Sequence, residues 1–101
     1  MSKQQSSVKE RSRTDLDEPR QFKVIFHNDD FTTYEFVVKV LVQVFFKSQT
    51  EAARLTMEVD RKKSAVVGIY SCDVAKSKTE KAIKMARAEG FPLRITCEPV
   101  E

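Results

Sequence analysis

The sequence predicts an α+β fold: a three-stranded antiparallel sheet with three helices packed on one face, in the order β-α-α-β-α-β. Two observations lead there. Apolar and polar residues alternate over residues 22–27 and again over 93–98, the pattern of half-buried strands. Between them lie segments too long for ordinary strands, opened by Ser-type caps or closed by Gly and Pro.

Residues 1–20 come before the fold proper. Their apolar residues are only Met1, Val8 and Leu16, and Pro19 closes the segment. Such a stretch buries too little to fold alone and is expected to be a disordered N-terminal arm, with the folded domain over residues 21–101. The first strand spans residues 21–27. Residues 34–46 are rich in Val and Phe, and their length favours a buried helix over a strand.

Ser48-Gln49-Thr50-Glu51 has the form of a capping box, in which Ser48 caps the Glu51 amide and Glu51 reaches back. The helix it opens runs to about Val59, with Asp60-Arg61-Lys62-Lys63 as a polar break. Residues 64–70 read as a buried strand, with Gly68 marking a close approach. Ser71 offers an N-cap for a helix over 72–89. That helix turns Ala75, Thr79, Ala82, Ile83 and Ala86 inward and leaves Lys76, Lys78, Lys81, Lys84 and Arg87 in water. Gly90 and Pro92 end it, and the last strand follows.

Composition excludes several function classes. A net charge of +3 on 101 residues is mild and gives no reason to expect nucleic acid as a partner. No apolar run is long enough to span a bilayer, and no apolar leader is visible, so a cytoplasmic protein without membrane attachment is expected. Cys72 and Cys97 then read as reduced thiols. Their spacing, with His27 as the sole histidine, builds no zinc site, and neither metal nor cofactor is expected. There is no Gly-rich phosphate loop, HExxH or GxSxG, and nothing supplies a nucleophile, so an enzyme is not expected. Nothing points beyond a monomer.

The candidate site is Asn28-Asp29-Asp30, at the end of the first strand. Asn and Asp side chains bond their own backbone and often mark plain turns. The same amide and carboxylates also place several acceptors at one rim, suited to an ammonium group or a metal ion. Both readings stand on the residues alone.

The run Phe22-Lys23-Val24-Ile25-Phe26-His27-Asn28-Asp29-Asp30-Phe31-Thr32, followed by Glu35-Phe36-Val37, resembles the ClpS adaptor family. The resemblance continues through Glu58-Val59, Val66-Val67-Gly68-Ile69-Tyr70, Asp73-Val74-Ala75, Thr79 and Phe91-Pro92-Leu93, covering about residues 20–98. It implies an adaptor that recognises proteins with a bulky apolar N-terminal residue (an N-degron) and delivers them to a Clp AAA+ ATPase, ClpA-like or ClpC-like, by docking on its N-terminal domain.

By resemblance, Asn28 and Asp29 hold the substrate ammonium group. Asp60 stands where the family has a His that helps them. Thr32, Tyr34, Val37, Thr56, Val59 and Leu93 line the side-chain pocket, Asp73 and Lys78 dock on the ATPase, and residues 1–20 engage it during delivery. The chain departs from the family at Lys63 (usually Gly), at Tyr34 and Thr56 (usually Met) and at Thr33 (usually Pro).

The chemistry suits that reading. An ammonium group offers three donors to charge-assisted acceptors, and burying one large apolar side chain adds about 1.5–3 kcal/mol. With Asp29 and Asp60 flanking an empty site, mutual repulsion is expected to raise one carboxyl pKa and weaken binding at mildly acidic pH. Metal capture by Asp29, Asp30 and Asp60 is a minor alternative to this reading, since EF-hand spacing is absent. Two other functions compete: a ClpS-like regulator that docks on the ATPase without binding N-degrons, and a basic nucleic-acid or ribosome-associated domain using the lysine face of the helix over 72–89.

Overall fold

The computed structural model describes residues 20–100, so the expected arm lies outside the described residues apart from Arg20. The elements are β1 (Gln21–His27), α1 (Tyr34–Gln43), α2 (Gln49–Lys62), β2 (Ser64–Ser71), α3 (Cys72–Ala88) and β3 (Arg94–Pro99). The sheet order is β2-β1-β3 with both pairings antiparallel. This is the expected architecture.

β1 is the central strand, and its pleat sorts the molecule into two faces. Phe22, Val24 and Phe26 turn toward the helices, and Val24 and Phe26 are fully buried. They meet Val37, Val40 and Leu41 of α1, Leu55 and Val59 of α2, and Leu93 and Ile95 at the start of β3. The Phe26 and Phe45 rings meet edge to face, 5.5 Å between centroids. Ala75, Ala82 and Ala86 of α3 are buried at helical spacing, and their small side chains let α3 lie close on the sheet.

β2 is not buried on both faces, as its apolar run suggested. Ala65 and Val67 turn inward, while Val66 and Ile69 are exposed because the far face of the sheet carries no helix. The register slips between Val24 and Ile25, where Val67 is the extra residue. Gly68 has a close approach of an unexpected kind: a Cβ there would sit 2.6 Å from Cε2 of Tyr70, two residues along the same strand.

Two helix ends differ from expectation. α1 ends at Gln43 and not at residue 46. Phe46 takes a left-handed conformation (φ 56°), and the Lys47 amide donates back to the Leu41 carbonyl at 3.0 Å, a Schellman-type stop. Lys78 of α3 completes the stop. Its ammonium donates to the Val44 carbonyl at 2.9 Å and sits 4.4 Å from the Phe46 ring centroid. Lys78 is therefore half-buried and bonded, not free in water.

α2 runs on through the expected break to Lys62. Ser48 accepts from the Glu51 amide, but the Glu51 carboxylate pairs with Arg54 and does not reach back. At the start of α3, Ser71 occupies the cap position without a side-chain cap bond.

Lys63 stops α2 in the left-handed region, φ 75°, where a side chain is strained and glycine is not. Replacing Lys63 with Gly should therefore stabilise the protein by about 0.5–1 kcal/mol in urea unfolding, the strain relief being partly offset by unfolded-chain entropy. A variant less stable than the parent would mean that this backbone is relaxed with its lysine.

Candidate functional site

The loop between β1 and α1 builds the polar side of the site. Asp29 folds it. Its Oδ1 accepts from the Phe31 amide at 2.8 Å and the Thr32 amide at 2.7 Å, and its Oδ2 accepts from the Thr32 hydroxyl at 2.7 Å. Thr33 then caps α1, its hydroxyl accepting from the Phe36 amide at 3.1 Å. Sequence reasoning read Thr33 only as a missing proline; the Thr-x-x spacing before an apolar helix is the signal that identifies the cap.

Asn28 is tied to the other wall. Its backbone amide donates to the Lys63 carbonyl at 2.9 Å. Because Lys63 closes α2, this bond sets the end of β1 beside the last turn of α2, which carries Val59 and Asp60. The turn reading and the acceptor reading of Asn28-Asp29-Asp30 thus both hold in part. Asp29 makes a turn, and the turn faces a cavity.

That cavity holds about 380 Å³ and is lined by Asn28, Asp29, Thr32, Tyr34, Val37, Thr56, Met57, Val59 and Asp60. Its size is in the range of small-ligand pockets. Val37, Thr56 and Val59 are buried and form an apolar wall. The Thr56 hydroxyl donates to the Ala52 carbonyl of its own helix at 2.7 Å and so is satisfied within α2. Tyr34 and Met57 are exposed at the mouth.

Eight of the nine residues that the resemblance assigned to ammonium and side-chain recognition therefore line one cavity. Leu93 does not. It is 1% exposed and packs in the central core, where its position at the entry to β3 puts it. Met57 was missed in the sequence. It stands three residues before Asp60 on α2, the helical spacing that puts the two on one side. Asp73 and Lys78 lie on α3 and do not line the cavity. His27 does not either; it turns to the open face of the sheet, where its Nε2 meets the Thr96 hydroxyl at 2.8 Å.

The electrostatics correct one expectation. Burial works to raise the Asp29 carboxyl, but the bonds from the Thr32 amide, the Thr32 hydroxyl and the Phe31 amide, with the more distant charge of Arg87, outweigh it. Asp29 is held below the ordinary carboxylate range and stays ionised in mild acid. The expected upward shift is absent there, because hydrogen bonds to the charged form dominate. The metal alternative also loses its footing: among the described residues no three His, Cys, Asp or Glu side chains come together as a metal site.

The family model described as "ATP-dependent Clp protease adaptor protein ClpS" matches residues 17–96. The chain belongs to the ClpS family. Relatives named ATP-dependent Clp protease adapter protein ClpS include one from Desulfatibacillum aliphaticivorans, 51% identical over 80% of this chain and 78% of the relative. Another from Acetivibrio thermocellus is 44% identical over 91% of this chain and 93% of the relative. A solved structure of Agrobacterium tumefaciens ClpS2 bound to L-phenylalaninamide is 40% identical, covers 82% of this chain and all of that one, and superposes with a TM-score of 0.80.

As a ClpS-family member the protein is an adaptor of Clp protease. Among the described residues no helix is long and apolar enough to cross a membrane.

Because its folded pKa lies below its unfolded value, Asp29 contributes stability that is fully present above the unfolded pKa and is lost as pH falls through the folded one. Asp29→Ala should cost about 1–2 kcal/mol at pH 7, allowing for partial exposure. In urea unfolding against pH, the gap between wild type and variant should close below the ordinary Asp range. A gap that persists unchanged into strong acid would show that the ionised carboxylate is not what stabilises the loop.

Proposed function

We propose that this adaptor recognises proteins whose N-terminal residue is large and apolar and brings them to the N-terminal domain of a Clp AAA+ ATPase, in the cytoplasm and as a monomer. The observation that carries the reading is the single cavity in which an acceptor rim of Asn28, Asp29 and Asp60 adjoins an apolar wall of Val37, Thr56 and Val59. A protein N-terminus presents the matching pair of groups: an ammonium with three donors, and one side chain within a few ångströms of it. The ligand of the Agrobacterium tumefaciens structure carries this pair, a free α-amino group beside a benzyl side chain, which supports the reading here.

The charge balance favours an ammonium ion. Asp29 is ionised, Asp60 lines the same cavity without a cation among the lining residues, and Asp60 sits in the last turn of α2, where the helix end is itself negative. An amino group acylated at the same position loses its charge and two of its three donors. The acceptors it leaves unpaired cost roughly 1–3 kcal/mol each. Tyr34 at the mouth is stiffer than a methionine, while Met57 beside it is adaptable, so first-residue preference is set by how these two close over the entering side chain. The proposal puts ATPase docking at Asp73, exposed in the first turn of α3, and at Lys78, which braces the exposed Phe46.

Peptides beginning with Leu, Phe, Tyr, Trp or Ala, each with an N-acetylated control, test the reading by fluorescence anisotropy. The bulky series should bind in the micromolar range, and the Ala and acetylated peptides should bind at least tenfold more weakly. Asp29→Ala should abolish peptide binding while leaving the complex with the ATPase N-terminal domain intact. Equal affinity for free and acetylated termini would overturn the ammonium reading. An ATPase complex without any peptide binding would favour a regulator that docks but carries no N-degron.

A further inference from the structure

We propose that Thr32 is a positioning residue for the ammonium acceptor: by donating its hydroxyl to Asp29 Oδ2, it aims the one carboxylate oxygen still open to a ligand. The inference rests on the ammonium reading above and assigns Thr32 a part different from that of a pocket wall.

The lone pairs of Asp29 give the reason. A carboxylate has about four acceptor sites. The amides of Phe31 and Thr32 occupy Oδ1, at 2.8 and 2.7 Å. The Thr32 hydroxyl takes one place on Oδ2 at 2.7 Å, leaving a single place there for an incoming donor. Asn28 and Asp60 line the same cavity, so three residues that each carry an acceptor stand around the place for an ammonium with three N–H bonds.

The terminal torsion of an Asp side chain is broad. The two oxygens turn together about the Cβ–Cγ bond, so the amides on Oδ1 and the hydroxyl on Oδ2 clamp the carboxylate plane from both ends. The hydroxyl of Thr32 is the one contact on Oδ2 itself: it decides which lone pair of that oxygen stays open, and it comes from a residue fixed by its own amide to the same carboxylate. Arg87 on α3 is the charge that acts on Asp29 from a neighbouring element; Asp60 on α2 lines the same cavity and Asp30 adjoins it in the loop, and none of them bonds Oδ2.

Two substitutions separate the roles of the Thr32 side chain. Thr32→Val keeps the shape and loses the hydroxyl. Thr32→Ser keeps the hydroxyl and loses one methyl. Positioning predicts that Val weakens a Phe-initiated peptide on the order of tenfold, and that Ser weakens it by no more than about fourfold, the value of one methyl. It also predicts that the Asp29 carboxyl, followed by carbon-detected NMR titration of the folded variants, moves up toward the ordinary range in Thr32→Val and stays low in Thr32→Ser.

The reverse order, Ser weaker than Val, would make Thr32 a pocket wall only and overturn the proposal. So would an Asp29 titration in Thr32→Val that matches the wild type. If the wild-type protein binds no peptide, the ammonium reading fails, and the titration still decides separately whether Thr32 holds the carboxylate. Far-UV circular dichroism confirms that each variant is folded under the conditions of both measurements.

Discussion

The site depends on how Asp29 closes the turn between β1 and α1. Three donors from Phe31 and Thr32 converge on its carboxylate, and this fixes the chain between Asn28, at the strand end, and Thr33, the cap of α1. The closure has two consequences. It points α1 so that Val37 reaches the cavity, and it holds a carboxylate ionised at the cavity rim without a salt bridge among the described residues. A group stabilised by neutral donors keeps its full negative charge available to a cationic ligand; one paired with Arg or Lys does not.

The second wall is set by a single backbone bond. The Asn28 amide reaches the Lys63 carbonyl, so the C-terminal turn of α2 is anchored to the strand that carries the acceptors. A domain this small has few layers with which to enclose a ligand. It forms a cavity by bringing together the end of a strand, the start of one helix and the end of another, all on one side of the sheet. The opposite side of the sheet is left open, with Val66 and Ile69 exposed on it. α3 has a separate task. Its alanines seat it on the sheet, and Lys78 ties off the end of α1.

Much of this was legible in the sequence, and for physical reasons. Alternation placed β1 and β3, capping and breaking residues separated the helices, and the Asn-Asp-Asp rim marked the site. Most of the misreadings share a cause: they depend on contacts between distant residues. The end of α1 is set by Lys78, 34 positions away, and by a left-handed Phe46, which nothing in a Val-Phe run reveals. The exposure of Val66 and Ile69 follows from an uncovered sheet face, not from composition. Leu93 has the right chemistry for a pocket but enters the core at the β3 junction. The pKa of Asp29 could not be inferred from a count of nearby carboxylates, because the decisive donors are amides and a hydroxyl brought round by the turn.

The central claim is that one cavity joins the acceptor rim to the apolar wall and receives both halves of an N-terminal residue. The most direct measurement is a titration of the isotope-labelled protein with L-phenylalaninamide, followed by backbone and methyl chemical shifts. The account predicts saturable changes at Asn28, Thr32, Val37, Thr56 and Val59, with the residues of the open sheet face, Val66 and Ile69 among them, left unmoved. Shifts confined to the sheet face or to α3, or changes at the rim without changes at the methyls of Val37 and Val59, would contradict it.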